Sequence, residues 1–329
     1  MRIQLSGIAH PGGTGHPHSA AGRPSMLTII ANPRSGKGSG KARLQQVEAW
    51  MRERTLPFES RVTAGPGDAI RFARESAEAG SETLVVLGGD GTFYEVVNGI
   101  MGASRRPRLA QIPVGTGNSF IKDLGIDSFE DGLAALADGK VRRVDVGRGQ
   151  AAGAGTGAGL AAAAGAEFYF VNLCGAGFVA HTARRAGYFR AFGDFAYVIA
   201  VLLGLPGLRA QSLRTVADGV ETVRDAHFIE ICNSRKTGGD MIMAPSAKVD
   251  DGLFDVVIAK KMTRRQLLDL FPQIFTGKHV ESPLVETFTC TRIEAAFEKA
   301  EPVTPDGELL GTSPLSAEII PLAIEVYAR

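Results

Sequence analysis

The residues with the clearest chemical potential lie in one turn. Leu84 to Asn98 reads LVVLGGDGTFYEVVN, an apolar run that enters Gly88-Gly89-Asp90-Gly91-Thr92 and leaves as a helix-like stretch. Thr83 to Leu87 is β-branched or aliphatic, which predicts a strand covered on both faces. The glycines let the backbone take positive φ and bring N–H groups close to a ligand, and a helix over Phe93 to Met101 points its positive end the same way. Such a turn favours phosphate. A carboxylate beside phosphates is repelled unless a cation sits between them, so Asp90 suits a Mg2+–nucleotide complex. The same residues also suit an ordinary strand-to-helix turn with Asp90 and Thr92 as N-cap residues.

The elements that position this turn recur on either side of it. Leu27 to Asn32 predicts a first strand, and the basic loop Arg34 to Lys41, RSGKGSGK, leads into a helix with Leu44, Val47 and Met51 on one face. The loop imitates a phosphate-binding Walker sequence but fails it. Ser35 stands at its first glycine position, and Ala42 stands where a hydroxyl should bind Mg2+. Arg34, Lys37 and Lys41 offer donors to phosphate or simply face solvent. A second strand follows at Phe58 to Thr63, then a helix with Ile70, Ala73 and Ala77 on one face. Leu109 to Pro113 predicts a further strand, ended by a second glycine turn, Val114 to Phe120. In a doubly wound sheet the carboxyl ends of parallel strands share one crevice, so both turns can meet one ligand. Neither has GxGxxG spacing, because Phe120 stands at the last glycine, and this sets a dehydrogenase aside.

At 329 residues the chain exceeds the ~250 to 300 at which a single core stops growing, so two domains are expected. A net charge of +1 with both signs interspersed argues against nucleic acid as a partner. Cys174, Cys232 and Cys290 are far apart and lack metal or CxxC spacing, which fits a reducing cytoplasm. Residues 1–25 have no apolar signal-peptide core and read as a disordered extension, in which His10, His16 and His18 lack a scaffold to hold a metal; Met26 is the expected functional start. Residues 26–148 then form an α/β nucleotide-binding domain. Residues 149–166, mostly Ala and Gly, read as a loop insertion. Residues 167–329 form a β-rich domain with strands at Phe168–Leu173, Thr222–Cys232, Leu253–Ile258, Val285–Ala296 and Ser316–Tyr327.

Two stretches of this second domain bear on binding. Arg184 to Leu208 joins arginines to aromatic and aliphatic residues; its apolar part is shorter than the ~20 residues of a membrane span, and it reads as a lipid interface or as a helix packed on the β domain. Lys248 to Leu253, KVDDGL, suits a hard cation or an Asp-Gly hairpin turn.

Five blocks in this order, GGDGT at Gly88 to Thr92, PVGTGN at Pro113 to Asn118, GGDMIMAP at Gly238 to Pro245, DDGLFDV at Asp250 to Val256 and PDGE at Pro305 to Glu308, resemble the diacylglycerol kinase catalytic-domain family, which includes soluble bacterial lipid kinases and sphingosine kinases. NAD kinases are similar around GGDGT but lack the DGLFDV block. The resemblance implies an NAD kinase/diacylglycerol kinase-like α/β domain followed by a mostly antiparallel β-sandwich domain, whose last strand returns to the first. It implies an ATP- and Mg2+-dependent lipid kinase acting at the membrane surface from the cytoplasm, on diacylglycerol or a related lipid. By the same resemblance Glu308 accepts the lipid hydroxyl proton, and Asp306 and Asp90 join a carboxylate–water–metal network. ATP would lie against Asn32, Pro33, Arg34, Ser35, Gly36, Thr63, Gly88, Gly89, Asp90, Gly91, Thr92, Phe93, Tyr94 and Thr116. The carbonyls of Lys248 and Leu253 and the side chain of Asp251 would hold a structural Mg2+.

Two positions depart from the family pattern: Phe178 and Ser119 each stand where Asp is common, and Asp123 is the nearby candidate to replace the second. A kinase for a sphingoid base, ceramide or phosphatidylglycerol would share every motif, and the Ser119 departure also admits a weakened lipid- or nucleotide-binding module. A homodimer is left open.

Overall fold

The computed structural model describes residues 26–115, 117–153, 165–192 and 195–329. The first unit is a parallel sheet of β1 (Leu27–Ala31), β2 (Phe58–Val62), β3 (Thr83–Gly88) and β4 (Arg108–Pro113), in spatial order β2-β1-β3-β4. Helices α1 (Gly40–Glu53), α2 (Asp68–Glu78) and α3 (Asp90–Met101) connect these strands, and α4 (Ser119–Lys122) and α5 (Phe129–Asp138) follow them. Leu84 to Leu87 are fully buried, as an uninterrupted apolar strand requires. On α1 the buried stripe is Leu44, Val47 and Met51. On α2 it is Ala69, Ala73 and Ala77, with Ile70 only half-buried. The helices approach closely there: a Cβ on Gly99 of α3 would stand 2.4 Å from the Ile70 carbonyl oxygen, so small residues fill the contact. The parallel strands point their carboxyl ends to one edge, where β3 and β4 deliver the two glycine turns.

The second unit is mostly antiparallel. It contains β5 (Val141–Ala152), β6 (Glu167–Phe170), β7 (Leu173–Gly177), α6 (Phe178–Ala186), α7 (Phe195–Gly204), β8 (Gln211–Ala217), β9 (Val220–Cys232), the short pair β10 (Lys236–Thr237) and β11 (Met241–Ile242), β12 (Phe254–Lys260), α8 (Arg264–Leu270), β13 (Val285–Cys290), β14 (Arg292–Phe297), β15 (Val303–Pro305) and β16 (Thr312–Tyr327). The expected strands at 168–173 and 285–296 are each two. The first breaks at Val171-Asn172, whose N–H groups bond to Asp306; the second breaks at Thr291, held by Asp218. Strand β8 escaped the sequence reading because its polar, half-exposed residues carry no apolar run. Strand β5 runs on to Ala152, pairing Gly149 with Phe168, so the Ala/Gly segment begins as strand rather than loop. Residues 154–164 of that segment, the extension 1–25 and Thr116 lie outside the described residues.

Strand β16 joins the units. Its Leu315 to Glu318 pair antiparallel with β14, while Val326 pairs parallel with Leu109 of β4. One sheet therefore runs from β13 through β16 to β2, with separate apolar cores in the two units. This continuity fixes the C-terminal turns against the N-terminal ones.

Candidate active site

Gly88 ends β3, Gly89 caps α3, and Asp90 already lies in the first helical turn. The helix thus starts before the expected Phe93, because the Phe93 N–H donates back to the Gly89 carbonyl and makes the glycine turn part of the helix. Neither Asp90 nor Thr92 is the N-cap. The unpaired N–H groups of that turn point where an anion would be bound.

The Asp90 carboxylate accepts the Ser119 N–H at 2.9 Å, tying the turn after β3 to the turn after β4. A Cβ on Gly117 would fall 2.8 Å from Asp90 Oδ2, so glycine is required beside it. Burial pushes the Asp90 carboxyl up to about 6, against the pull of the Ser119 and Asn118 N–H groups and the Lys122 charge. Ser119, at the position where the family often has Asp, also accepts the Gly239 N–H through Oγ at 3.0 Å. Asp123 does not replace the missing carboxylate. Arg235 holds it through its backbone N–H and two guanidinium nitrogens at 2.8 to 3.0 Å, away from the cleft.

From the second unit comes the turn after β15. Asp306, at φ 46°, accepts N–H groups of Val171, Asn172 and Leu173 at 2.9 to 3.0 Å, fastening the corner between β6 and β7. Burial, with Asp90 nearby, pushes its carboxyl up to about 7 despite these bonds. Three backbone donors take up most of the acceptor capacity of this carboxylate. Glu308 follows, its N–H bonded to the Pro305 carbonyl at 2.8 Å. A Cβ on Gly91 would lie 2.9 Å from Glu308 Oε1, which places the second unit's carboxylate directly over the first unit's glycine turn.

Between them opens a cleft of about 620 Å³. Of the residues expected at the nucleotide, Asn32, Arg34, Ser35, Thr63, Gly89, Asp90, Gly91 and Thr92 line it, together with Glu308. Asn32 braces the floor by donating to Thr92 Oγ1 at 3.3 Å and accepting the Arg34 N–H at 3.0 Å. Gly36 and Gly88 stand behind, packed on Val114 and Thr92, and Pro33 is outside the lining. Phe93 and Tyr94 turn into the core: Phe93 stacks on Phe120, and the buried Tyr94 hydroxyl finds no partner among the described residues. Lys37 and Lys41 are exposed and do not line the cleft. Glu95 was missed. It lines the cleft and accepts the Gly67 and Ala69 N–H groups at 3.1 Å, holding the start of α2, and its signal was an acidic residue inside the apolar stretch FYEVVN.

The acidic loop lies elsewhere, against the joint of β5 and β16. Asp250 pairs with Arg142 at 2.8 Å, Asp251 is exposed and accepts the Leu253 N–H, and Asp145 accepts the Gly252 and Leu322 N–H groups. Burial pushes Asp145 upward, and the charges of Asp251 and Asp250 add to the effect. Among the described residues no three His, Cys, Asp or Glu side chains are arranged to hold a metal. A cation here would rest on the Lys248 and Leu253 carbonyls with Asp251 as its carboxylate, a hard oxygen set compatible with Mg2+.

The second unit also holds an apolar cavity of about 60 Å³, walled by Phe178, Val201, Phe228, Val257 and Leu270 among others. Phe178 thus serves as wall where the family often has Asp. Nearby, Tyr188 is 82% exposed, and Leu202 and Leu203 of α7 are exposed as well. No helix of the described residues is long and apolar enough to cross a membrane.

A parallel nucleotide-type sheet joined by one strand to an antiparallel unit, with carboxylates of both at their junction, defines a two-domain kinase architecture. Residues 26–149 match the diacylglycerol kinase catalytic domain, and residues 172–328 match the YegS C-terminal NAD kinase beta sandwich-like domain. Residues 26–149 thus carry the catalytic domain of the diacylglycerol kinases, and the curated relatives of the chain are named as lipid kinases. A diacylglycerol kinase of Mycobacterium tuberculosis is 29% identical over 91% of this chain and 94% of its own. A probable lipid kinase YegS-like of Yersinia pestis is 28% identical over 92% and 96%. The crystal structure of a putative diacylglycerol kinase from Bacillus anthracis superposes with a TM-score of 0.76 at 22% identity, covering 93% of this chain and 97% of the other.

Proposed function

We propose that this enzyme transfers the γ-phosphoryl group of ATP to the hydroxyl of a lipid, diacylglycerol or a close relative. The observation that carries this reading is the approach of Glu308 Oε1 to Gly91, which sets a carboxylate over the glycine turn and supports its part as proton acceptor. ATP lies along Asn32, Arg34, Ser35, Thr63 and the α3 N-terminus. Glu308 takes the proton of the lipid hydroxyl as its oxygen bonds to the γ-phosphorus and the bond to the β-phosphate oxygen breaks, releasing ADP. Asp90 and Asp306 would hold Mg2+ in a carboxylate–water–metal network, and the ion would supply neutralisation of phosphate charge. The test is labelled transfer from ATP to a panel of diacylglycerol, sphingoid base, ceramide and phosphatidylglycerol. Label in phosphatidic acid is expected. Label in another product alone changes the substrate, and none in any lipid overturns the reading.

Two predictions attach here. The loop from Lys248 to Leu253 is read as a structural Mg2+ site, so wild type is expected to gain ~2–4 °C in Tm between chelator and saturating Mg2+, and Asp251→Ala to lose that gain. Equal gains in both reduce the loop to a turn. The exposed Tyr188, Leu202 and Leu203 are read as the contact with a lipid surface. Leu202→Asp with Leu203→Asp is expected to lower activity on vesicles by about tenfold or more, with little change on dispersed short-chain lipid. Parallel losses on both would refute the contact.

A further inference from the structure

Glu230 lies inside the apolar run Phe228 to Cys232 of β9 and is only 3% exposed. Its Oε2 has no hydrogen-bond partner among the described residues. A buried carboxyl with an unbonded oxygen is costly for a sheet to carry, which makes its presence informative. Burial pushes it up to about 8. The titratable groups around it are the Cys174 thiol on β7, the Cys232 thiol on β9 and the Tyr197 phenol on α7, all raised and none cationic.

Strand register sets Thr304 of β15, Gly175 of β7, Glu230 and Val257 of β12 in one row. Residues paired in this way project to the same face. Glu230 occupies the space that a side chain at 175 would fill, since a Cβ there would lie 2.5 Å from its Oε2. Across that glycine the Thr304 hydroxyl is also buried and unbonded. Val257, at one end of the row, is wall of the apolar cavity; Thr304, at the other, leads straight into the turn of Asp306 and Glu308. A polar pair therefore stands between the apolar cavity and the turn that carries Glu308.

We propose that Glu230 and Thr304 form a specificity station for the lipid acceptor, their two side chains donating hydrogen bonds to an ester oxygen between the acyl chain and the hydroxyl. It rests on the lipid-kinase reading above. Burial favours the protonated, hydrogen-bond-donating form of Glu230, which suits an acyl ester.

The experiment measures kcat and KM for diacylglycerol in mixed micelles, with KM for ATP and Tm on the same preparations. Glu230→Leu and the nearly isosteric Thr304→Val are each expected to raise the lipid KM about tenfold or more, with kcat and the ATP KM within about twofold. Glu230→Gln keeps a donor and is expected to stay within about threefold of wild type. An unchanged lipid KM in Glu230→Leu and Thr304→Val overturns the station and leaves two internal polar groups. A loss in Glu230→Gln equal to that in Glu230→Leu also overturns it, marking an ionised carboxylate suited to a cationic amine, with sphingoid base as the check. A wild type that phosphorylates no lipid overturns the underlying reading instead, and the station with it.

Discussion

Glu308→Gln is expected to lower kcat by ~10²- to 10⁴-fold while leaving ATP affinity nearly unchanged. The side chain keeps its length and its place over Gly91, and the backbone bond from its N–H to the Pro305 carbonyl does not involve the carboxylate. What disappears is the capacity to take a proton. Nucleotide affinity separates this from a binding defect, because Glu308 reaches the cleft from the other unit than Asn32 and Arg34. An unchanged kcat in a preparation whose wild type is active would remove Glu308 from the chemistry. Weakened ATP binding alone would move it to the nucleotide side.

Asp90→Asn is expected to lower turnover by ~10²- to 10³-fold with Tm within a few degrees of wild type. The amide oxygen can still accept the Ser119 N–H that joins the two glycine turns, so the architecture is retained. The negative charge that balances a cation at the phosphates is lost. Normal turnover would leave Asp90 a structural tie between turns. A large fall in Tm accompanying lost activity would show that the carboxylate is needed for folding of the site rather than for its charge.

The fold class was legible because it rests on local pattern. The buried strand at Leu84 to Leu87, the α1 stripe of Leu44, Val47 and Met51, and glycine turns after successive strands all follow from periodicity within short windows. The site is less local. Glu308 meets Gly91 across most of the length of the chain, and nothing in Pro305 to Glu308 taken alone names that partner; only the family resemblance linked the two blocks. The three backbone donors on Asp306 come from residues 171–173, where the sequence suggested an unbroken strand. Phe93 and Tyr94, which sit beside the glycine turn in sequence, face the core because a helix starting at Asp90 rotates them inward. Glu95 and Glu230 had a readable signal, a carboxylate interrupting an apolar run, but its meaning depends on which strands and turns lie opposite.

Transfer of the ATP γ-phosphoryl group to a lipid hydroxyl beneath Glu308 is tested most directly by measuring ADP and labelled phospholipid together in wild type and Glu308→Gln. Wild type is expected to form the two in equal amounts, with both strongly reduced in the variant. ADP without labelled lipid in wild type, or equal transfer by the two proteins, would contradict it.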